Sequence, residues 1–260
     1  MNHIFTAITL ALMLSISVSA SASTHRKSKP KPPPAFSAKS FLVADSDGQI
    51  IKEQNGDLIR PIASISKLMI AVLATEQDLD ELLSIPSGRQ VQSSIPRKVI
   101  TLTRRELLTL SLVRSDNLAA QILCANLEEC VVRMNERAQT LGMIDTHYEE
   151  PTGLDKGNVS TAHDLLKLIM SASLIPVITQ VSSMPKAEIP TDGKSIKINN
   201  TNPLTSKFDV VLSKTGFTGP AGGCLVMMMN ASVGQRIFIL LGSKNVKTRI
   251  PDMERLVKEL

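Results

Sequence analysis

The sequence predicts an α/β (α+β) fold, in which an antiparallel five-stranded sheet is flanked by helices and joined to a central all-helical lobe. Three observations predict it. Strand-like segments occur near both ends of the chain, apolar residues at helical spacing fill the middle, and a short helical segment closes the C terminus. Because the order is strands, helices, strands, helix, the strands of both ends are expected to share one sheet.

Residues 1–35 are expected to precede this fold. Residues 1–22 combine an apolar run with a small-residue A-S-A triplet, which is typical of a signal peptide cleaved near Ala22. The apolar run is shorter than the ~20 residues of a membrane-spanning helix, so export is favoured over an anchor. Residues 23–35 are basic and proline-rich and predict an extended linker.

The formal charge of +5 belongs mainly to this linker. Four of the five positive charges come from its basic residues, Arg26, Lys27, Lys29 and Lys31. The charge therefore gives no reason to expect nucleic-acid binding by the folded part. A solvated spacer is the favoured interpretation of the linker, with contact to an anionic envelope polymer as the alternative.

Residues 36–260 are long enough to form one well-buried domain. It is expected to begin with "SFLVADSDGQIIKEQNG", two short strands around an Asp47-Gly48 turn. After residue 175, three segments predict three more strands, namely "FDVVLSKTGFT", "GCLVMMMNAS" and "QRIFILLGSK". The last twelve residues, "RIPDMERLVKEL", predict a closing helix.

Helical spacing of apolar residues fills the middle of the chain. A helix is predicted from Ser64 to about Thr75, and a helical lobe over about residues 76–175. Within the lobe, Thr103 and Glu106 have the spacing of a capping box, which predicts a helix start. Further amphipathic helices are predicted for "NLAAQILCANL", "CVVRMNERAQTLG" and "STAHDLLKLIMSAS".

Two of the three cysteines are close enough in sequence to pair. Cys124 and Cys130 lie six residues apart across a predicted break between helices, a spacing that allows a disulfide in an oxidising compartment. Two buried free thiols are an equal alternative at this stage. Cys224 has no evident partner.

The tetrad S-x-x-K occurs three times, at Ser28–Lys31, Ser64–Lys67 and Ser183–Lys186. The first copy lies in the linker, and Pro185 interrupts the third. Only the middle copy lies in a proline-free apolar helix, where residues i and i+3 share a face and the Lys67 amine can reach the Ser64 hydroxyl. Taken alone, this tetrad is also explained by a capping serine and a lysine that extends toward solvent.

Two further clusters change that balance. Ser115-Asp116-Asn117 lies at a predicted junction of two helices, and Lys214-Thr215-Gly216 lies in a predicted strand. Separately, S-D-N is an ordinary helix cap and K-T-G an ordinary edge strand. Together with S-x-x-K, in this order, they form the set of three motifs typical of β-lactamases and penicillin-binding proteins.

The surroundings of these motifs resemble one family in particular. "PIASISKLM", "LVRSDNLAA", "LGMIDTHYEEPTGLDKGNVSTAHDLLKL" and "LSKTGFTGPAGGCLV" are similar to the low-molecular-mass penicillin-binding proteins, the D-alanyl-D-alanine peptidases of serine peptidase family S11. The similarity covers most of residues 40–250 and is closest to the penicillin-binding protein 7 type of D,D-endopeptidase. It implies a β-lactamase/transpeptidase-like fold.

The resemblance implies a periplasmic enzyme of the cell wall. Such an enzyme hydrolyses D-Ala-containing bonds of peptidoglycan stem peptides and cross-links through an acyl-enzyme on Ser64, and β-lactams acylate the same serine as covalent inhibitors. No metal or other cofactor, no nucleic acid and no stable membrane anchor is expected.

The chemistry requires a base for the weakly nucleophilic Ser64 hydroxyl, and Lys67 is the candidate. A lysine titrates near ~10.4, so a neutral base near pH 7 needs a shift of about three units. Burial and the positive charge of Lys214 are both expected to lower the pKa of Lys67. Ser115 is expected to relay a proton between Lys67 and the leaving nitrogen. The resemblance implies an oxyanion hole made of the backbone N–H groups of Ser64 and Phe217.

The remaining candidates would bind substrate. Asn117 offers a donor and an acceptor to the substrate backbone, and Lys214 and Thr215 offer a cation and a hydroxyl to its carboxylate. Gly216 is expected to let the strand approach a bound peptide. Phe217 either forms a wall of the site or packs within its strand.

Four alternatives stay open. One is a D-Ala-D-Ala carboxypeptidase, and another is a non-catalytic penicillin-binding domain. A β-lactamase of one class would carry E-x-x-L-N, whereas here Glu150 precedes Leu154 by four residues and Asp155 replaces the asparagine. A metal-dependent endopeptidase would need ligands at close spacing, which His147 and His163 lack; both are interpreted as surface or capping residues.

Overall fold

A five-stranded antiparallel sheet forms the frame of the protein, as the sequence predicts. The computed structural model describes residues 36–88, 93–191 and 193–259. The sheet order is β2-β1-β11-β10-β9. The described strands are β1 (Ser40–Asp45), β2 (Ile50–Gln54), β3 (Arg60–Pro61), β4 (Leu82–Ser84), β5 (Thr101–Thr103), β6 (Val159–Ser160), β7 (Lys186–Ile189), β8 (Ile196–Asn199), β9 (Val210–Thr218), β10 (Gly222–Ala231) and β11 (Gly234–Ser243).

Pairing of β1 with β11 joins the two ends of the chain. Ser40 lies opposite Leu241 and Asp45 opposite Arg236, and the pairing is antiparallel throughout. At the other end of β1, Gly48 has a φ of +83° in the turn to β2, a conformation that side chains other than glycine rarely adopt. The predicted signal peptide and linker lie outside the described residues.

Helices cover both faces of the sheet. The described α-helices are α1 (Lys67–Ala74), α2 (Arg104–Val113), α3 (Asn117–Ala125), α4 (Cys130–Thr140), α5 (Ala162–Ser173), α6 (Pro176–Ser183) and α7 (Val246–Lys258). Alternate residues of each strand point to opposite faces. Val226 and Ile239 therefore join the larger core with the helical lobe, whereas Leu225 and Leu240 pack with α7.

Helix α1 is the centre of the larger core. All eight of its residues are buried, so its apolar character continues around the whole helix instead of forming a stripe. The turn before it, Ala63–Ser66, is a 3-10 turn, so the predicted helix begins here with a tighter geometry. We call these four residues the 63–66 turn.

Side-chain caps fix the starts of three lobe helices, α2, α3 and α5. Thr103 and Glu106 form the predicted capping box of α2, because the Thr103 side chain accepts from the Glu106 N–H and the Glu106 side chain accepts from the Thr103 N–H. The Asp116 side chain caps α3 and the Thr161 side chain caps α5. These caps agree with the helix starts that the sequence indicates.

The region after residue 175 contains elements that the sequence analysis did not predict. Helix α6 begins at Pro176. Proline is well tolerated at this first position because the N–H groups of the first helical turn have no partner within the helix. Strands β7 and β8 then form a separate antiparallel hairpin. The α6 sequence is rich in β-branched residues and has weak helical propensity, so its packing against α2 and β9 decides its conformation.

The structure decides between the two interpretations of the cysteines. Cys124 and Cys130 form a disulfide between the end of α3 and the start of α4. Cys224 is buried as a free thiol in β10. Among the described residues, no single helix is long and apolar enough to cross a membrane; α5 and α6 pass that test only as a pair, which is bent by 106° at its break.

We predict that the disulfide contributes moderately to stability. Replacement of both Cys124 and Cys130 by alanine should lower the free energy of unfolding by about 2 kcal/mol, because the closed loop is short and its closure removes little entropy from the unfolded chain. Calorimetry should show a melting temperature that is roughly 5 °C lower. A reductant should lower the melting temperature of the wild type and leave that of the double variant unchanged; equal melting temperatures for both proteins would contradict the prediction.

Candidate active site

Three separate parts of the chain meet at the amine of Lys67. Its Nζ lies 2.8 Å from Ser64 Oγ, 2.7 Å from Asn117 Oδ1 and 2.7 Å from the carbonyl oxygen of Thr152. The Lys67 side chain is fully buried at the start of α1. An ammonium group has three N–H donors, and these three acceptors match them in number. The structure thus brings Ser64 and Lys67 together as the S-x-x-K spacing predicts.

Burial lowers the pKa of Lys67 to about 7, although the carboxylates of Glu150 and Asp116 act in the opposite direction. A neutral amine keeps two N–H donors for Asn117 and Thr152 and directs its lone pair at the Ser64 hydroxyl. Lys67 can therefore hold the two protonation states that a general base needs.

The pKa of Lys214 is well below its usual value because of burial and the nearby charges of Lys67 and Arg249. The sequence analysis expected Lys214 to act on Lys67. In the structure, the charge of Lys67 contributes to the lowered pKa of Lys214, whereas burial accounts for the lowered pKa of Lys67.

Ser115 contacts Lys214 rather than Lys67 in this structure. Its Oγ accepts a hydrogen bond of 2.8 Å from Lys214 Nζ, whereas Lys67 bonds Asn117 in the same cluster. The φ of Ser115 is +62°, a strained conformation for a residue with a side chain. Because Ser115 Oγ accepts from Lys214, its own O–H remains available to donate to a bound molecule.

Asp116 positions the S-D-N cluster. Its carboxylate caps α3 through the N–H of Ala119 and also accepts from Ser93 Oγ and from the N–H of Ser94. Asn117 follows directly, and its Oδ1 faces Lys67. The amide NH2 of Asn117 therefore remains available as a donor, whereas the oxygen that the sequence also offered to a substrate accepts from Lys67.

Strand β9 brings the K-T-G cluster to the same place. Thr215 Oγ1 lies 2.6 Å from Thr201 Oγ1. A Cβ atom on Gly216 would lie 2.9 Å from the carbonyl oxygen of Ile62 and 3.0 Å from the backbone nitrogen of Ser64. The sequence analysis expected the glycine to make room for substrate, but the structure shows that it makes room for the backbone at the 63–66 turn.

Phe217 is not a packed strand residue, because 47% of its surface is exposed. It follows Gly216, which contacts the Ser64 backbone, so the backbone N–H of Phe217 belongs to the part of β9 that passes beside Ser64. Of the two interpretations that the sequence left open, packing within the strand is wrong.

The sequence analysis missed Arg249 and Thr152. Arg249 in α7 donates from Nη1 to the carbonyl oxygen of Gly216 at 2.9 Å. It is almost fully buried, yet its sequence context is that of any amphipathic helix, so no local signal marks it. Thr152 contributes only its backbone carbonyl, which no side-chain pattern predicts.

His147 and His163 lie on the surface, as predicted. His147 contacts Glu149 and His163 contacts Glu53, and all four side chains are substantially exposed. Among the described residues, no three histidine, cysteine, aspartate or glutamate side chains lie together in a way that could hold a metal ion.

Comparisons with known proteins agree on one family. The family model described as D-alanyl-D-alanine carboxypeptidase, peptidase S11, matches residues 25–245. D-alanyl-D-alanine endopeptidases of Pseudomonas aeruginosa and Escherichia coli are 37% and 34% identical to this chain over 84% and 86% of its length, and the matches cover 75% and 77% of theirs. The structure of penicillin-binding protein D2 from Listeria monocytogenes, in its ampicillin-bound form, is similar with a TM-score of 0.79 at 32% identity, covering 88% of this chain and 98% of that one.

We predict that the amine of Lys67 titrates near pH 7 in the free protein, because burial disfavours its charged form. The measurement is NMR of protein labelled with 13C at the lysine ε carbon, with the signal assigned by its loss in a Lys67→Met variant. An ammonium that stays protonated above about pH 9 would contradict the prediction and with it the assignment of a neutral base.

Proposed function

Because the chain belongs to the D-alanyl-D-alanine carboxypeptidase family S11, we propose that it is a serine D,D-peptidase that hydrolyses D-Ala-containing bonds of peptidoglycan. The observation that carries this proposal is the contact of 2.8 Å between the buried Lys67 amine and the Ser64 hydroxyl. D,D-endopeptidase action on cross-links is favoured over carboxypeptidase action, since the relatives that are 37% and 34% identical are endopeptidases.

Acylation begins when neutral Lys67 takes the proton of Ser64. The oxygen attacks the carbonyl carbon of a D-alanine residue, and the negative charge that develops on the carbonyl oxygen needs donors. The backbone N–H groups of Ser64 and Phe217 would supply them, a role supported by the close approach of β9 to the Ser64 nitrogen. Each such donor is worth about 3 kcal/mol in the transition state.

The leaving nitrogen then needs a proton. As the C–N bond breaks, Ser115 would donate the proton from the O–H that its contact with Lys214 leaves free, and would recover one from the charged Lys67 amine of the same cluster. In hydrolysis of the acyl-enzyme, neutral Lys67 takes a proton from water and the hydroxide attacks the ester carbon; the bond from that carbon to Ser64 Oγ then breaks, and Lys67 returns the proton to Ser64. Proton transfers balance in both halves, with no metal or other cofactor.

Substrate recognition combines charge with an extended backbone. Arg249, and Lys214 when it is protonated, give the site a positive potential, which attracts the carboxylate beside the scissile bond. Thr215 would offer its hydroxyl to that carboxylate, and Asn117 its amide group to the substrate backbone. β-Lactams would enter the same site as covalent inhibitors.

We place the enzyme in the periplasm. The signal-like residues 1–22 support export, and the disulfide between Cys124 and Cys130 is typical of an oxidising compartment. Peptidoglycan stem peptides and cross-links are the partners of such an enzyme.

Activity is expected to depend on Ser64. Purified wild-type protein should bind labelled penicillin and cleave cross-linked muropeptide dimers, whereas Ser64→Ala should lose both activities by a factor of at least about 1,000, because the nucleophile is absent. Ser183→Ala is the matched control, since Ser183 belongs to another S-x-x-K sequence and its hydroxyl donates to the Gln180 carbonyl of its own helix, so this variant should behave as wild type.

The products distinguish the candidate activities. Cleavage of dimers to monomers identifies an endopeptidase, and release of terminal D-alanine alone identifies a carboxypeptidase. Labelling of Ser64 without either product would contradict the proposed peptidase and leave a non-catalytic penicillin-binding domain.

β-Lactam acyl-enzymes of this protein are expected to last for minutes or longer. The sequence lacks the E-x-x-L-N arrangement of one β-lactamase class, and the Glu150 carboxylate accepts hydrogen bonds from backbone N–H groups of its own loop. Mass spectrometry should therefore show a lasting adduct on Ser64. Rapid multiple turnover of nitrocefin would identify a β-lactamase instead.

A further inference from the structure

Glu150 is the centre of a loop that contacts both Lys67 and the 63–66 turn. One of its carboxylate oxygens accepts from the backbone N–H groups of Gly153 at 2.5 Å and Leu154 at 2.8 Å. The other accepts from the N–H of Thr152 at 2.8 Å and from its Oγ1 at 2.6 Å. Residues 150–155, which we call the 150–155 loop, are thus folded around a single side chain.

This loop reaches the catalytic groups through its backbone. The carbonyl oxygen of Thr152 accepts from Lys67 Nζ at 2.7 Å. Gly153 has a φ of +79°, and a Cβ atom there would lie 1.9 Å from the carbonyl oxygen of Ala63 and 2.8 Å from the nitrogen of Ser64. A small displacement of the loop would therefore move the partner of the base or collide with the nucleophile backbone.

We propose that Glu150 is a positioning residue for the base: by folding the 150–155 loop around its carboxylate, it holds the Thr152 carbonyl against Lys67 and so directs the amine at Ser64. This inference rests on the proposed function and deepens it. Glu150 has no contact with Ser64 among its hydrogen bonds and acts through the loop.

A carboxylate suits this role because it only accepts hydrogen bonds when ionised. The N–H groups of Thr152, Gly153 and Leu154 bond the carboxylate instead of backbone carbonyl groups, and a buried donor without a partner would destabilise the loop. Two oxygens with about four acceptor positions match the four close donors of Thr152, Gly153 and Leu154. A glutamine would replace one oxygen by a donor group, which faces the N–H and hydroxyl donors unfavourably.

The loop is also tied to the 63–66 turn by a second residue. Asn158 accepts from the N–H groups of Glu149 and Glu150, and its Nδ2 donates to the Glu150 carbonyl oxygen and to Ser66 Oγ. The buried amide of Asn158 therefore fixes the start of the loop, while the Glu150 side chain fixes its tip.

The charge of Glu150 gives the role a measurable signature. Charged groups face Lys67 from three sides: Glu150 from the loop, Asp116 from the start of α3 and Lys214 from β9. Glu150 stabilises the charged form of Lys67 and so raises its pKa against the effect of burial. Removal of this charge should lower the pKa of Lys67, so that the amine becomes neutral at a lower pH.

The test is the pH dependence of acylation by a fluorescent penicillin, measured between about pH 5 and 9 for the wild type, Glu150→Gln and Glu149→Gln. We expect the acid limb of Glu150→Gln to move to lower pH by about half a unit or more. Its plateau rate should fall on the order of tenfold or more, because the base is less well directed. Glu149→Gln removes the same charge one residue away, where the carboxylate contacts only the exposed His147, and should match the wild type.

A second variant covers the case in which Glu150→Gln does not fold. Thr152→Val removes the hydroxyl that donates to Glu150 but keeps the charge, so the plateau should fall severalfold while the acid limb stays at its wild-type pH. Circular dichroism and melting temperature establish that each protein is folded.

The outcomes separate this inference from the proposed function. Normal labelling of the wild type, together with a Glu150→Gln profile that keeps its plateau and its acid limb, would overturn the positioning role alone. Equal shifts in Glu149→Gln and Glu150→Gln would also overturn it, since they would reflect net charge. If Thr152→Val is the only variant that folds, a plateau rate of acylation equal to that of the wild type would likewise overturn the positioning role. A wild-type protein that never labels would overturn the proposed function itself.

Discussion

The burial of one amine is the constraint on which the rest of the site depends. Lys67 is fully enclosed at the start of α1, and an isolated charge in that position would be strongly unfavourable. The protein meets this cost with three acceptors from three parts of the chain: Ser64, Asn117 and Thr152. The same burial brings the pKa of the amine to about 7, so the feature that destabilises the charged lysine also brings its pKa into the range of a general base.

Three buried basic side chains, those of Lys67, Lys214 and Arg249, lie close enough to interact electrostatically. Lys67 and Arg249 both lower the pKa of Lys214, while Glu150 and Asp116 favour the charged form of Lys67. Repulsion between the two lysines makes it unfavourable for both to be charged at once, which couples their protonation. An anionic group bound between them would relieve this repulsion.

Two of the four described non-glycine residues with positive φ lie at the same place. Ala63 and Ser115 have φ values of +48° and +62°, and Gly153 and Gly216 allow two other segments to approach the Ser64 backbone. Such conformations persist only where the surrounding structure holds them. Here the fully buried α1, the capped start of α3 and the pairing of β9 with β10 provide that support.

The sequence by itself determined the elements whose signals are local. The five strands of the sheet, the capping box of Thr103 and Glu106, and the pairing of Ser64 with Lys67 follow from alternation, cap spacing and the i, i+3 geometry of a helix. The three motifs indicated β-lactamases and penicillin-binding proteins, and the sequences around them indicated the family. Helix α6 was not predicted, since its helical propensity is weak and its packing against α2 and β9 decides its conformation.

Only the tertiary structure decided which atoms meet. The Thr152 carbonyl and the Arg249 guanidinium reach the site from sequence positions distant from Ser64, and the partner of Ser115 proved to be Lys214. The steric reason for Gly216 is likewise visible only when β9 lies against the 63–66 turn. Residue patterns specify which groups are available, whereas distances, burial and pKa values depend on how distant segments pack, and that packing is not encoded in any short stretch of the chain.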